Sequence, residues 1–243
     1  MDLVLAHLYP QRMNLYGDRG NVLALQYRAA KRGLNFRVVD LEIGEGVDWR
    51  EVDMVFMGGG EDSHQAMIYE DFLERKSGLS EALSDGLPML AVCGAYQLLG
   101  HEYVTADGHK LEGIGYLNIT TRPGGKRAIG DVVCESTLSV NPKTLVGFEN
   151  HGGQTFLGEG ATPLARVRLG HGNNGEDGTE GAVQGHTIGT YLHGSLLPKN
   201  PQLTDLLIFW AVTRREGDDA LIAPLDASWE LAAHDVILKR VKI

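Results

Sequence analysis

The chain has 243 residues, of which 43% are hydrophobic and 22% charged, with a formal net charge of −10. That length suits one sizeable α/β domain with a buried core, spanning 1–243, and is too short for two full ones. The acidic balance, with basic pairs scattered at Lys31–Arg32, Arg214–Arg215 and Lys239–Arg240, argues against a nucleic-acid role, and no apolar run approaches the roughly 18 residues of a membrane span.

Elements alternate from the start. Leu3–Leu8 is a short apolar run suited to a buried strand. Asn21–Lys31 reads as a helix with Val22, Leu25 and Ala29 on one face and Gly33 as its stop. Phe36–Leu41 and Met54–Met57 are further strands, the latter ending in Gly58-Gly59-Gly60. Helical sequence runs from about His64 to Ser84, with a break expected at Gly78. Leu87–Val92 is a fourth strand and Ala95–Leu99 opens another helix. Such alternation predicts an α/β fold with a mostly parallel central sheet flanked by helices. Between Gly113 and Gly189 glycine and β-branched residues dominate, and Ile114–Thr121, Ile129–Cys134 and Leu164–Leu169 read as strands in hairpins. Thr187–Tyr191 returns to the parallel pattern. Asn200 can cap a helix with Pro201 at its first position, and Ser228–Val241 is the last helix.

The segment Leu87–Gly100 carries the most chemistry. A buried strand runs into Cys93 and a helix begins directly after it, with Ala91, Gly94 and Ala95 keeping the turn small. A nucleophile elbow needs small neighbours because its turn is crowded. It would lift the thiol above the carboxyl edge of the sheet, at a helix N-terminus that favours the thiolate. A buried core cysteine at a strand end would share part of this pattern. The other cysteine, Cys134, lacks the turn. Two cysteines make neither a disulfide framework nor a metal set. The start Met1-Asp2-Leu3 lacks the basic opening of a signal peptide, so a cytoplasmic location is expected.

A cysteine nucleophile needs a histidine to take and return its proton. His193 lies just after the strand Thr187–Tyr191 and would share an edge with Cys93 if the two strands run parallel; His151, in Phe148–Gly153, is the rival. The triple glycine also follows a strand. An N–H there, at Gly60, together with that of Gly94 could form an oxyanion hole, or the glycines could make a plain tight turn. The run Gly170-His171-Gly172-Asn173-Asn174-Gly175 matches G-x-G-x-x-G, but turn sequence follows where a helix should, which marks it as a mobile hairpin loop. No phosphate loop of the Gly-Lys-Ser/Thr kind occurs, so any ATP binds elsewhere.

The elbow and distant histidine resemble class I glutamine amidotransferases, most closely the cobyric-acid-synthase-like branch. Leu8-Tyr9-Pro10, Met13–Asn21, Gly58–Asp62, Cys93–Gln97, Phe148–Gly153 and Gly189–Gly194 are similar to the glutaminase subunits (GatD family) of the MurT–GatD lipid II isoglutaminyl synthases. The resemblance implies a chain that releases ammonia from glutamine, with Cys93 as nucleophile, His193 as base and Arg127 holding the substrate carboxylate. It implies a Mur-ligase-like partner of the MurT type, which would bind ATP and magnesium and amidate the D-glutamate α-carboxyl of lipid II. This chain itself would need no cofactor or metal, and would work near the inner membrane face without entering it. Many class I enzymes carry glutamate two residues after the histidine; here that residue is Ser195, so no carboxylate to orient His193 is visible, and the resemblance implies that the partner supplies one. A corrinoid amidotransferase is the alternative, although those chains normally carry an ATP-binding domain ahead of the glutaminase part; a non-catalytic binding subunit is another.

Overall fold

The computed structural model describes residues 1–193, 196–217 and 219–242, with only the backbone of Tyr16. The strands are β1 (Asp2–Leu8), β2 (Asn35–Leu41), β3 (Met54–Met57), β4 (Met89–Val92), β5 (Glu102–Val104), β6 (Lys110–Glu112), β7 (Ile119–Ser136), β8 (Thr144–Leu157), β9 (Ala165–Leu169), β10 (Thr179–Glu180), β11 (Ala182–Gln184) and β12 (Thr187–Thr190). The helices are α1 (Arg19–Lys31), α2 (Asp62–Glu74), α3 (Lys76–Ser84), α4 (Gly94–Leu98), α5 (Leu196–Lys199), α6 (Pro201–Glu216) and α7 (Ser228–Val241).

One sheet has the order β11-β12-β4-β3-β1-β2. Its pairs are parallel except β11 on β12. Strands β3, β4 and β12 are buried at every residue, as expected where helices cover both faces. The strand period of two sorts their side chains. Ala6, Leu8, Val55, Met57 and Ala91 pack with α2 and α3 through Ile68, Phe72 and Leu79. Leu5, Phe56, Leu90 and Val92 face the other way, against α1 and α6 through Leu25, Ala29, Leu203 and Leu207. Buried Arg28 locks that second layer: Nε and Nη2 donate to Asp205 on α6 at 2.6 and 2.8 Å, and Nη1 to Glu230 on α7 at 2.7 Å.

A second sheet has the order β10-β9-β7-β5-β6, with β8 on β7. Its spine is the antiparallel β7–β8 pair, whose register slips between Pro123 and Ala128. Two strands expected at Ile114–Thr121 and Ile129–Cys134 are therefore one: Ile119 onward belongs to β7, and Ile114 lies before it. The break in the second helical segment falls at Arg75 rather than Gly78. Arg75 Nε donates to Asp71 and to the Tyr9 hydroxyl, which fixes the joint. Gly78 serves packing instead, since a Cβ there would stand 3.0 Å from the Trp49 ring. Asn200 occupies the cap position of α6 without capping it. Its amide exchanges hydrogen bonds with both backbone groups of Val146, at 2.9 and 2.8 Å, and so ties α6 to β8. No helix among the described residues is long and apolar enough to cross a membrane.

Candidate active site

Strand β4 delivers Cys93 to the carboxyl edge of the central sheet. Its backbone turns there at φ +53°, ψ −105°, and α4 starts at the next residue. A non-glycine residue held in that region stores about 1–3 kcal/mol of strain. The strain is tolerated because the turn is pinned: Cys93 N donates to Thr190 O at 2.8 Å and Cys93 O accepts from Gln97 N at 3.0 Å. Close packing also needs its glycines. A Cβ on Gly94 would stand 2.8 Å from Gln65 Nε2, and one on Gly189 would strike the Tyr96 ring at 2.1 Å.

Because β12 runs parallel to β4, with Gly189 opposite Ala91 and Thr190 opposite Val92, His193 emerges beside Cys93 on the same edge. A backbone exchange with Phe148 at 2.8 and 3.3 Å fixes where the imidazole leaves the sheet. The ring is fully buried, and its Nδ1 lies 3.3 Å from Asp18 Oδ1. Burial pushes the imidazole pKa down. The charge of Cys93, the Asp18 hydrogen bond and the Cys93 hydrogen bond outweigh it and lift the value to about 10. An imidazole so placed holds its proton against the sulfur at neutral pH.

Asp18 corrects the expectation that no carboxylate of this chain orients His193. It comes from the turn between β1 and α1, is fully buried, and accepts the Gly59 N–H through Oδ2 at 2.7 Å. Gly59 sits at the centre of this cluster: a Cβ on it would stand 2.7 Å from His193 Cε1, 3.2 Å from Cys93 Cβ and 3.4 Å from Asp18 Oδ2. The triple glycine is thus a close-approach element, with the Gly59 N–H committed to Asp18. Ser195, at the position where many class I enzymes carry glutamate, lies outside the described residues, as does Gly194.

Cys93, His193, Gly59, Gly60, Arg127 and His151 line one cavity of about 670 Å³ between the two sheets. Gly94 follows Cys93 as the first residue of α4. Exposed Arg127 is carried on the slipped part of β7, and its Nε donates to Asn150 Oδ1 at 2.6 Å. The rival histidine, His151, reaches the cavity too, but it lies flat on Tyr191 with ring centroids 3.7 Å apart, and its Nδ1 contacts Gly153 O at 2.7 Å. Behind it a buried polar chain runs from Gln65 through Gln97, Tyr191 and Thr155 to Thr121, joining the sheets below the cavity. Cys134 sits in the core, where burial pushes its thiol pKa well up. The G-x-G-x-x-G segment is a packed turn rather than a mobile loop. Buried Asn173 bonds to Thr179, Gly181 and the Tyr96 hydroxyl, and Asn174 to Thr155 and Asp177.

A strained cysteine elbow, a buried imidazole just after the neighbouring parallel strand and a cavity lined by both make a candidate thiol site on an α/β fold. A family model, the CobB/CobQ-like glutamine amidotransferase domain, matches residues 4–201. The chain belongs to that family. It is 41% identical over 239 residues (98% of this chain, 96% of the relative) to the lipid II isoglutaminyl synthase (glutamine-hydrolyzing) subunit GatD of Staphylococcus aureus. It is 37% identical to the GatD subunit of Streptococcus pneumoniae, covering 89% of this chain and 83% of that one. A cobyric acid synthase of Pelotomaculum thermopropionicum is 30% identical over 88% of this chain, which spans 41% of that relative. The fold matches a glutamine amidotransferase of Thermotoga maritima at TM-score 0.57 and 17% identity, covering 99% of this chain and 95% of that one.

Proposed function

We propose that this chain is the glutaminase subunit of a lipid II isoglutaminyl synthase: it hydrolyses glutamine at Cys93 and passes ammonia to a Mur-ligase-like partner of the MurT type. The observation that carries the reading is the Cys93–His193–Asp18 cluster, with half-buried Cys93 lining the cavity beside buried His193 and Asp18; the 41% identity to a GatD subunit supports the choice of acceptor. ATP and magnesium belong to the partner, which activates the D-glutamate α-carboxyl. The assembly works at the inner membrane face, where its lipid-linked substrate is held.

Arg127 engages the α-carboxylate of glutamine, for which a planar guanidinium is suited. Cys93 sulfur attacks the side-chain amide carbon. The N–H groups of Gly60 and Gly94 receive the oxyanion. His193 gives its proton to the amide nitrogen as the C–N bond breaks, so ammonia leaves and a γ-glutamyl thioester remains. His193, now neutral, takes a proton from water as the oxygen attacks the thioester carbon. Expulsion of the sulfur as thiolate releases glutamate and restores the thiolate–imidazolium pair. Asp18 keeps Nδ1 protonated throughout, which turns Nε2 toward the sulfur. Cys93→Ala in the complex should abolish amidation from glutamine and spare amidation from added ammonium; loss of both would mark the cysteine as structural.

A further inference from the structure

The walls of the cavity carry opposite charges from different elements. Arg127 enters from the slipped register of β7. Asp62, the first residue of α2, enters from the connection that follows the triple glycine. Asp62 is held in place: the hydroxyl of Tyr103, itself 4% exposed, donates to Asp62 Oδ1 at 2.7 Å. Tyr103 is fixed in turn by β5, where it pairs with Thr121 of β7, the strand that carries Arg127. One pair of strands therefore sets both the carboxylate and the guanidinium. Burial and the Asp62 bond push the Tyr103 hydroxyl pKa up, so it stays a donor.

Other polar groups of the cavity are engaged in part, with Gln65 Oε1 and His151 Nε2 left buried without a hydrogen-bond partner among the described residues. Gln65 bonds Gly60 O and Gln97, Gln97 bonds Tyr191, and His151 contacts Gly153 O. Glu61, the residue before α2, makes no side-chain capping bond there. A carboxylate whose first oxygen is fixed by a buried hydroxyl presents its second oxygen with little further loss of rotamer freedom, which is how pre-organised sites gain selectivity.

We propose that Asp62, positioned by Tyr103, accepts the α-ammonium of the substrate, so that the site selects a free α-amino acid and rejects side-chain amides whose α-nitrogen is acylated or absent. This rests on the glutaminase reading and adds the second charge of the zwitterion to the one Arg127 takes.

Ammonia release by the full chain in complex with its partner is followed with glutamine and with 4-carbamoylbutanoate, which has the same chain and amide but no α-amine. Where the latter turns over too slowly, it is read as a competitive inhibitor. Asp62→Asn should lower kcat/KM for glutamine about 100-fold, mainly through KM, and leave the constant for 4-carbamoylbutanoate within about twofold. Tyr103→Phe should move the same ratio part of the way. An equal fall for both compounds means that Asp62 is only structural and overturns the proposal. So does an unchanged ratio, or a ratio that collapses in Glu61→Gln instead. A wild-type complex that releases no ammonia from glutamine would overturn the glutaminase reading itself.

Discussion

Asp18→Asn changes one charge at the base of the site and nearly nothing in shape. At 3.3 Å the Asp18–His193 pair is worth about 5 kcal/mol at an effective dielectric of about 20. The amide oxygen can keep the Gly59 N–H, now at 2.7 Å. Its NH₂ then faces His193 Nδ1, which must become an acceptor, and the ring is driven to the tautomer that cannot receive a proton at Nε2. If most of the pair energy is lost from the step that needs the imidazolium, roughly 4 kcal/mol, kcat falls about 10³-fold. With Asp18 neutral the imidazole also falls from about 10, so the alkaline limb of the pH–rate profile moves to lower pH. The assay is ammonia release from saturating glutamine across pH 6–10, with thermal unfolding as a control for folding. A variant within threefold of wild type, its alkaline limb unmoved, would refute the role given to Asp18.

Gly59→Ala places a Cβ 2.7 Å from His193 Cε1; kcat should fall at least 100-fold, since displacement of a catalytic group by about 1 Å costs that much, and a loss under threefold would show that the cluster is not so tightly built. Arg127→Ala should raise KM for glutamine at least tenfold with kcat little changed; an unchanged KM would remove Arg127 from the site. Glu180 is fully buried and burial lifts its carboxyl to about 7, against 4.5 for a free one, in spite of bonds from the Thr190 hydroxyl and Tyr191 N–H. The folded chain therefore keeps a proton that the unfolded chain gives up between those values, and stability drops as pH rises through that window, by up to about 3 kcal/mol. Glu180→Gln keeps an acceptor oxygen and lacks the penalty, so urea unfolding should show its advantage over wild type growing from pH 5 to pH 8; parallel curves would contradict this.

Much of the central sheet was legible in the sequence, because short apolar runs bounded by glycine carry their own signal. Met54–Met57 and the helix Ser228–Val241 stand where expected, and the strand leading to His193 runs parallel to the one leading to Cys93. Strand β8 was not read. Its inward positions from residue 149 to 155 are Glu149, His151, Gly153 and Thr155, buried in alternation but polar or small, so hydropathy does not reveal the period. Asp18 was missed for a different reason. Its partner lies 175 residues away, and the residues after His193 carry no trace of a group that the fold brings in from the turn before α1. The signal available was the local context, a short acid between Tyr16-Gly17 and Arg19-Gly20, which marks a turn without saying what it faces. The packed turn at Gly170–Gly175 was misread because the side-chain bonds of Asn173 and Asn174 to the strands around them are invisible in one dimension.

The central claim is a covalent one and can be seen directly. The chain is mixed with glutamine, quenched in acid within the first turnover, digested and weighed by mass spectrometry. One added γ-glutamyl group is expected on the peptide holding Cys93, absent in Cys93→Ala and stripped by hydroxylamine. Glutamine consumption with that peptide unmodified at every quench time, or a glutamyl group found on Cys134 instead, would contradict it.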